Sequence, residues 1–225
     1  MNIHSFNFAG AALSALPSGA LYWPDQRLLC VSDLHLCKAE RLARRGGEML
    51  PPYETRDTLS RLDADIRSTT PEIVVCLGDS FDDAQAAAAM EDDDRLWLAR
   101  LMAGRRWIWI EGNHDPGTLG FGGTYLSELR TGSLTFRHVA SKGAEKGEVS
   151  GHYHPKARIS ARGKTMTRAC FMTDEDRLIL PAFGTYTGGL NWTDPALRQL
   201  FAPVAQAFLT GSKVYAVPVP KAPNS

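Results

Sequence analysis

Five of the chain's six histidines, with three aspartates and one asparagine, fall in five short motifs along the chain. Asp33 and His35 lie in DLH, and Asp79 in GD. Asn113, His114 and Asp115 lie in GNHD, His138 follows LTFR, and His152 and His154 lie in GHYH. Asp33, His35, Asp79, Asn113, His138, His152 and His154 make a candidate ligand set of two carboxylates, one amide and four imidazoles, with no thiolate. Mixed oxygen and nitrogen donors of this kind favour manganese, iron, zinc or a similar divalent ion over a structural cysteine-zinc site. One carboxylate can bridge two cations about 3.5–4 Å apart. Asp79, alone between the flanking groups, is the natural bridge. His114 sits beside a candidate ligand and beside Asp115. It reads as an unmetallated acid or phosphate contact whose tautomer Asp115 would fix. The remaining histidine, His4, reads as a bystander. Each cluster alone is a weak sign; the ordered set points to a hydrolytic two-metal centre.

Such a centre needs residues between 33 and 154 to meet in space. Each cluster directly follows a short apolar run that reads as a strand: 28–31, Ile73–Leu77, 107–110, 134–136 and Glu148–Ser150. Ligand sites in open α/β sheets form beyond the carboxyl ends of strands, so the clusters can converge there. Around these runs, 20–23 and 27–31 flank Pro24-Asp25-Gln26 as a hairpin. From Thr55, Leu59, Leu62 and Ile66 recur at helical spacing. Glu91 to Asp94 load acid at a helix start, with Leu96, Leu98, Leu101 and Met102 as its apolar positions. Residues 159–180 read as β-rich. Thr193 or Asp194 is expected to cap a helix with Pro195 in its first turn, running through Leu197, Leu200, Phe201, Val204 and Phe208. Residues 214–217 read as a last strand. Strands alternating with helices predict a layered, mixed α/β domain over residues 1–217, with 218–225 as a loose tail.

Composition narrows the classes further. The chain has 225 residues, 44% hydrophobic and 22% charged, which is ordinary globular usage and argues against disorder. Lys+Arg and Asp+Glu are 25 each, so it is no globally basic nucleic-acid binder, although local patches remain open. No window approaches the ~20 apolar residues of a membrane helix, so no membrane partner is expected. The four cysteines form no CxxC pair and read as buried free thiols in a reducing cytosol. The first basic residue is Arg27, unlike the basic start of a signal peptide, and a cytoplasmic location is expected.

The ordered motifs resemble the calcineurin-type metallophosphoesterase superfamily, whose pattern DxH, GDxx, GNH[DE], H, GHxH is matched in full over 33–154. The resemblance implies a four-layer α/β/β/α sandwich of two mixed sheets. It implies that Asp33, His35, Asp79 and His154 hold one divalent ion and that Asp79, Asn113, His138 and His152 hold the other. Manganese is then expected first, with iron, zinc or nickel as alternatives. It further implies phosphoester hydrolysis by a hydroxide bridging the two ions, with His114 at the scissile phosphate. More narrowly, LYWPDQRLLCVSDLHLCKAERLARRG, GHYHP and LILPAFGTYTGGLNW are similar to the bacterial DNA ligase-associated phosphoesterases. That likeness covers roughly 16–192. It implies phosphodiesterase and single-strand nuclease activity and association with DNA ligase or helicase repair proteins. Two positions depart: Cys37 stands where Gly is expected, and Asp82 stands where members often carry His. Asp82 would then add an acid behind the ligands or alter a substrate contact.

A DNA substrate needs positive charge near the centre. Lys38, Arg41, Arg44 and Arg45 follow the first motif; Lys156, Arg158, Arg162, Lys164 and Arg168 follow the last, with no acid between Lys156 and Arg168. Lys38, Arg41, Lys156 and Arg158, with Asp82, are the candidate substrate contacts. Tyr186 and Trp192 could stack on bases or pack in the core. Two other readings remain open: a phosphomonoesterase or small-nucleotide hydrolase, and a non-catalytic interaction module on the same fold.

Overall fold

The uncharged runs 28–32 and 73–77 become central strands of the first of two facing sheets, whereas the central strands of the second bury Glu148 and Arg177. The structure is a computed structural model and describes residues 2–46, 51, 53–115, 117–118, 120–143, 145–161 and 163–220. The first sheet takes the chain in sequence order: β1 (His4–Phe8), β2 (Ala11–Ala15), β3 (Leu21–Trp23), β4 (Leu28–Ser32), β5 (Ile73–Leu77), β6 (Arg106–Ile110) and β7 (Thr124–Leu126). β1 to β4 pair antiparallel; β4 to β7 pair parallel. The helices that return the chain between the parallel strands are α1 (Lys38–Arg44), α2 (Glu54–Thr69), α3 (Ala84–Ala88) and α4 (Asp92–Met102).

The second sheet holds β8 (Glu128–Thr131), β9 (Leu134–Arg137), β10 (Glu148–Ser150), β11 (Lys156–Ala161), β12 (Lys164–Thr173), β13 (Arg177–Ile179), β14 (Gln206–Leu209) and β15 (Tyr215–Pro218). Its main path is β15-β14-β12-β13-β10-β9-β8, with β11 paired to β12 alone. β9, β10 and β13 run parallel, so this sheet too is mixed.

Alternation along the strands divides the core into three layers. Cys30, Val75 and Ile108 face Phe136, Val149, Phe171 and Phe208 between the sheets. Their neighbours Leu29, Val31, Val74, Cys76 and Trp107 face Leu59, Leu62, Ile66, Leu98 and Leu101 of the helices. Cys170, Met172 and Ile179 face outward, under Trp192, Leu197 and Phe201. The result is helices, sheet, sheet, then the short α5 (Pro195–Arg198) with its loops: the expected four-layer order. All four cysteines are free and buried. Among the described residues no helix is long and apolar enough to cross a membrane.

Three expectations need correction. The helix starting at Pro195 is capped by Asp194, whose carboxylate accepts from Ala196 N at 2.9 Å, but it ends at Arg198. Pro203 cannot donate into a helix ladder. Val204 is 83% exposed, and Phe208 belongs to β14, paired with Phe171 of β12. In α4, Leu98 and Leu101 are buried as expected, but Leu96 is 59% exposed. At the end of the chain, Pro218 closes β15 and Val219 is buried, donating to Ala205 O at 2.9 Å, so the chain is held this far; 221–225 lie outside the described residues.

One buried charge network clamps the second sheet away from the motifs. Glu148 and Arg177 are paired across β10 and β13 and are 1% and 2% exposed. Glu148 accepts from Ser141 N at 3.0 Å and lies 3.5 Å from Arg137 and 3.6 Å from Arg177. Removing one partner leaves an uncompensated buried charge. Glu148→Gln is therefore expected to cost about 3–5 kcal/mol in urea unfolding; a loss under about 1 kcal/mol would show the network to be dispensable.

Candidate metal centre

The five clusters lie past the carboxyl ends of β4, β5 and β6 in one sheet and of β9 and β10 in the other, on one edge of the sandwich. Backbone contacts knit the turns together. Gly151 N donates to His138 O at 3.0 Å, His35 N to Asp79 O at 2.9 Å, and Gly184 N to Asp33 O at 3.0 Å. These turns are tight enough to force unusual backbone. Asp33, His35, Asp79, His152 and His154 all have positive φ, between 43° and 70°. Non-glycine residues in this region carry strain of order 1–3 kcal/mol each, and such strain gathers at functional sites. Gly78 and Gly112 make the closeness possible: a Cβ on Gly78 would run into the His138 ring, and one on Gly112 into the backbone and carboxylate of Asp79.

Seven candidate ligands meet here in two groups. Asp33, His35 and His154 each offer a ligand atom, all within 4.8 Å of one another; Asp79, His138 and His152 do the same. Asn113 joins the second group, its Oδ1 2.9 Å from His138 Nε2, and His152 Nδ1 lies 3.2 Å from the same nitrogen. Asp79 Oδ2 is 3.3 Å from His138 Nε2, and Asp33 Oδ1 is 3.1 Å from His154 Nε2. The donor atoms of the first group, Asp33 Oδ1, His35 Nε2 and His154 Nε2, are buried and satisfied by no hydrogen bond. Buried polar atoms normally find partners. Three orphans converging with oxygen and nitrogen donors fit a hard or borderline divalent cation.

The imidazoles are oriented from behind, as metal-binding histidines generally are. His138 Nδ1–H donates to Leu77 O at 3.0 Å and leaves Nε2 for the centre. His35 Nδ1–H donates to the Asp82 carboxylate at 2.8 Å and leaves Nε2 likewise. Asp82 is itself held by Arg41. Asp82 thus stands behind a candidate ligand, and Arg41, offered by the sequence as a substrate contact, spends its guanidinium on Asp82.

Electrostatics follow this geometry. Burial would raise the Asp33 and Asp79 carboxyls, but His154 at Asp33, and His138 at Asp79, hold both below the usual carboxylate range. Burial lowers His138, yet Asp79 and Asp33 outweigh it and lift it to about 8. Burial, with the neighbouring His138, lowers His152.

His114 is half-buried and edge-on to His35, ring centroids 5.3 Å apart. Its backbone N–H donates to Asp79 Oδ1 at 2.9 Å. Its Nδ1–H donates to the carbonyl of Asp82 at 3.0 Å, which sets the tautomer. Asp115, expected to do this, has another task. Its carboxylate accepts from Ser80 N at 2.7 Å, Phe81 N at 3.1 Å and Gly112 N at 3.2 Å, tying the GD and GNHD turns together. Burial and the nearby Asp79 raise it to about 6, against those three donors.

The basic residues divide. Arg44 pairs with Glu40 and Asp83 and Arg45 with Asp83, so most of the first cluster is neutralised. Lys38 makes no ion pair among the described residues, though its charge helps hold Asp82 down; burial, with the charge of Lys38, lowers the Lys156 pKa. Lys156 Nζ donates to Thr187 O at 2.8 Å. Arg158, Lys164 and Arg168 are exposed, and Arg162 lies outside the described residues. Tyr186 is 38% exposed, its ring 6.1 Å from that of Tyr53, whereas Trp192 is 7% exposed and packs in the core. The sequence did not single out Tyr53; an aromatic next to Pro51 and Pro52 carries no chemistry by itself.

The model of the calcineurin-like phosphoesterase family matches residues 26–189. The chain belongs to this family. It is a metal-dependent phosphoester hydrolase with the two-sheet fold of that family. Among solved structures, a Pseudomonas putida nuclease, MPE, aligns over 96% of this metallophosphoesterase and 100% of its own chain, at 27% identity and a TM-score of 0.73. A Streptococcus pneumoniae protein described as a predicted phosphoesterase aligns over 85% of this chain and 96% of its own, at 12% identity and a TM-score of 0.31. A search of curated proteins gives no match.

Proposed function

We propose that this metallophosphoesterase is a manganese-dependent phosphodiesterase that cuts single-stranded DNA and works beside DNA ligase or helicase repair proteins. The observation that carries the hydrolytic reading is the trio of orphaned buried atoms on Asp33, His35 and His154, next to Asp79, His138 and His152. Full-length likeness to a nuclease and the cations around Lys156 support the polymeric substrate.

In this reading Asp33, His35 and His154 hold one ion, Asn113, His138 and His152 the other, and Asp79 both. Bound divalent ions supply Lewis acidity and a water activated near neutral pH. The chain's own groups do the rest. Leu77 O and the Asp82 carboxylate fix the tautomers of His138 and His35. His114, with Nδ1–H committed to Asp82 O, turns Nε2 toward the substrate; carrying a second proton on Nε2, as the imidazolium, it gives that proton to the departing oxygen and is left as the neutral Nδ1–H imidazole. Lys38 and Lys156 attract the phosphodiester, Arg158 extends that field, and Asp115 keeps the two turns in register.

Metal-free protein rebuilt separately with manganese, nickel, zinc, iron and magnesium tests this. Manganese is expected to restore hydrolysis of a chromogenic phosphodiester and of a single-stranded oligonucleotide, with the phosphomonoester poorer. A monoester preference would make the chain a phosphomonoesterase. Bound metal without hydrolysis of any ester would make it an interaction module.

A further inference from the structure

β11 and β12 leave the second sheet as a two-stranded ribbon that starts two residues after His154. Residues 164–168 of β12 are all exposed although they are strand-paired; on β11, Ala157 is buried and Ile159 packs against the outer core, so that face is covered at the root while Arg158 and Ser160 on the other face are exposed. Two-stranded ribbons contribute little stability of their own, which makes a projecting one an odd structural element without a partner.

Its chemistry is one-sided. Residues 155–173 contain five Lys and Arg and no Asp or Glu. Arg158, Lys164 and Arg168 have no carboxylate partner among the described residues, unlike Arg41 and Arg44 of α1 and Arg45 just after it. Parity along β12 assigns the faces. Phe171 points between the sheets, while Cys170 and Met172 point outward. Thr167 and Thr165 share the parity of Phe171 and are paired with Arg158 and Ser160. The face on the side of the metal centre therefore runs Lys156, Arg158 and Thr167, then Ser160 and Thr165: cations followed by hydroxyls. At its root Lys156 is bonded to Thr187, the neighbour in sequence of Tyr186, whose exposed ring pairs with that of Tyr53.

We propose that this ribbon is a strand-guiding arm: it holds the phosphate backbone of a single-stranded nucleic acid leading away from the metal centre, and so makes a polymer a better substrate than a small ester. The inference rests on the nuclease reading above. Six paired residues at about 3.3 Å each give an arm of roughly 20 Å, several nucleotides long. The centre is recessed, with Asp33 at 0% and His35 and His138 at 5% exposure. A flexible strand can turn a phosphate into such a crevice, whereas a duplex presents its phosphates on a rigid convex surface. The two exposed tyrosines at the root offer faces on which bases stack irrespective of sequence.

The test uses the full manganese-loaded protein and a ribbon-trimmed variant in which 160–165 are replaced by Asn-Gly, a turn that suits a two-residue hairpin joining Ile159 to Met166. Affinity for a single-stranded oligonucleotide and its cleavage are expected to fall on the order of tenfold. The slope of log K against log salt should become shallower, by at most ~1.4 for the two cations removed at about 0.7 each. Hydrolysis of a small chromogenic diester should not change, which also reports that the trimmed protein is folded. Arg158→Gln removes charge from the phosphate-side face at full ribbon length and should weaken oligonucleotide binding in the same direction. A trimmed protein that binds and cuts the oligonucleotide as well as the parent overturns the arm alone. A parent that hydrolyses the small diester but neither binds nor cuts oligonucleotide overturns the nuclease reading and the arm together. Tighter binding of duplex than of single strand, lost on trimming, overturns the single-strand assignment.

Discussion

Asp79→Asn is expected to empty the metal centre. Asp79 has one oxygen on the His114 N–H at 2.9 Å and the other 3.3 Å from His138 Nε2, within the second candidate ligand group. The amide has nearly the same shape, so the His114 contact can persist while the negative charge shared by the ions is lost. Metal content measured on the purified variant should fall from about two ions per chain toward none. Since each cation supplies several kcal/mol of charge stabilisation, hydrolysis should fall by on the order of 10³ or more. A variant that keeps both ions would refute the bridging role.

His114→Ala is expected to behave in the opposite way. Its ring is outside both ligand groups, and its one fixed bond, to Asp82 O, is worth about 1 kcal/mol. Metal content and folding should stay near the parent's, while turnover on DNA drops by roughly 10²–10⁴, the range for a positioned proton donor. The loss should be smaller on a chromogenic diester whose leaving group departs without a proton. Equal losses on both substrates would leave His114 as a phosphate contact only, and loss of metal would make it part of the cage.

The centre was legible because its donors are rare residue types placed directly after apolar runs. Ile73–Leu77 and Glu148–Ser150 are strands at the expected bounds, and Asp79 and His152 follow them closely. Local runs fix strand ends, and strand ends fix the edge where ligands meet. What stayed hidden depends on contacts between distant turns. Asp82 shows its role only when β5's turn meets His35, and Asp115 only when its carboxylate finds the amides of Ser80 and Phe81. The neutralisation of Arg41 and Arg44 by Asp82 and Asp83 is likewise invisible in a count of basic residues. Positive φ at five of the seven candidate ligands was also unreadable, since the neighbouring turns impose it. The failed helix at 195–208 had a local warning: Pro203 interrupts the apolar spacing that suggested it.

An anomalous-difference map from crystals of the manganese-loaded protein tests the central claim most directly. Two peaks about 3.5–4 Å apart are predicted, one against Asp33, His35 and His154, the other against Asn113, His138 and His152, with Asp79 touching both. A map with no peak at these side chains, or with manganese held elsewhere on the chain, would contradict the account.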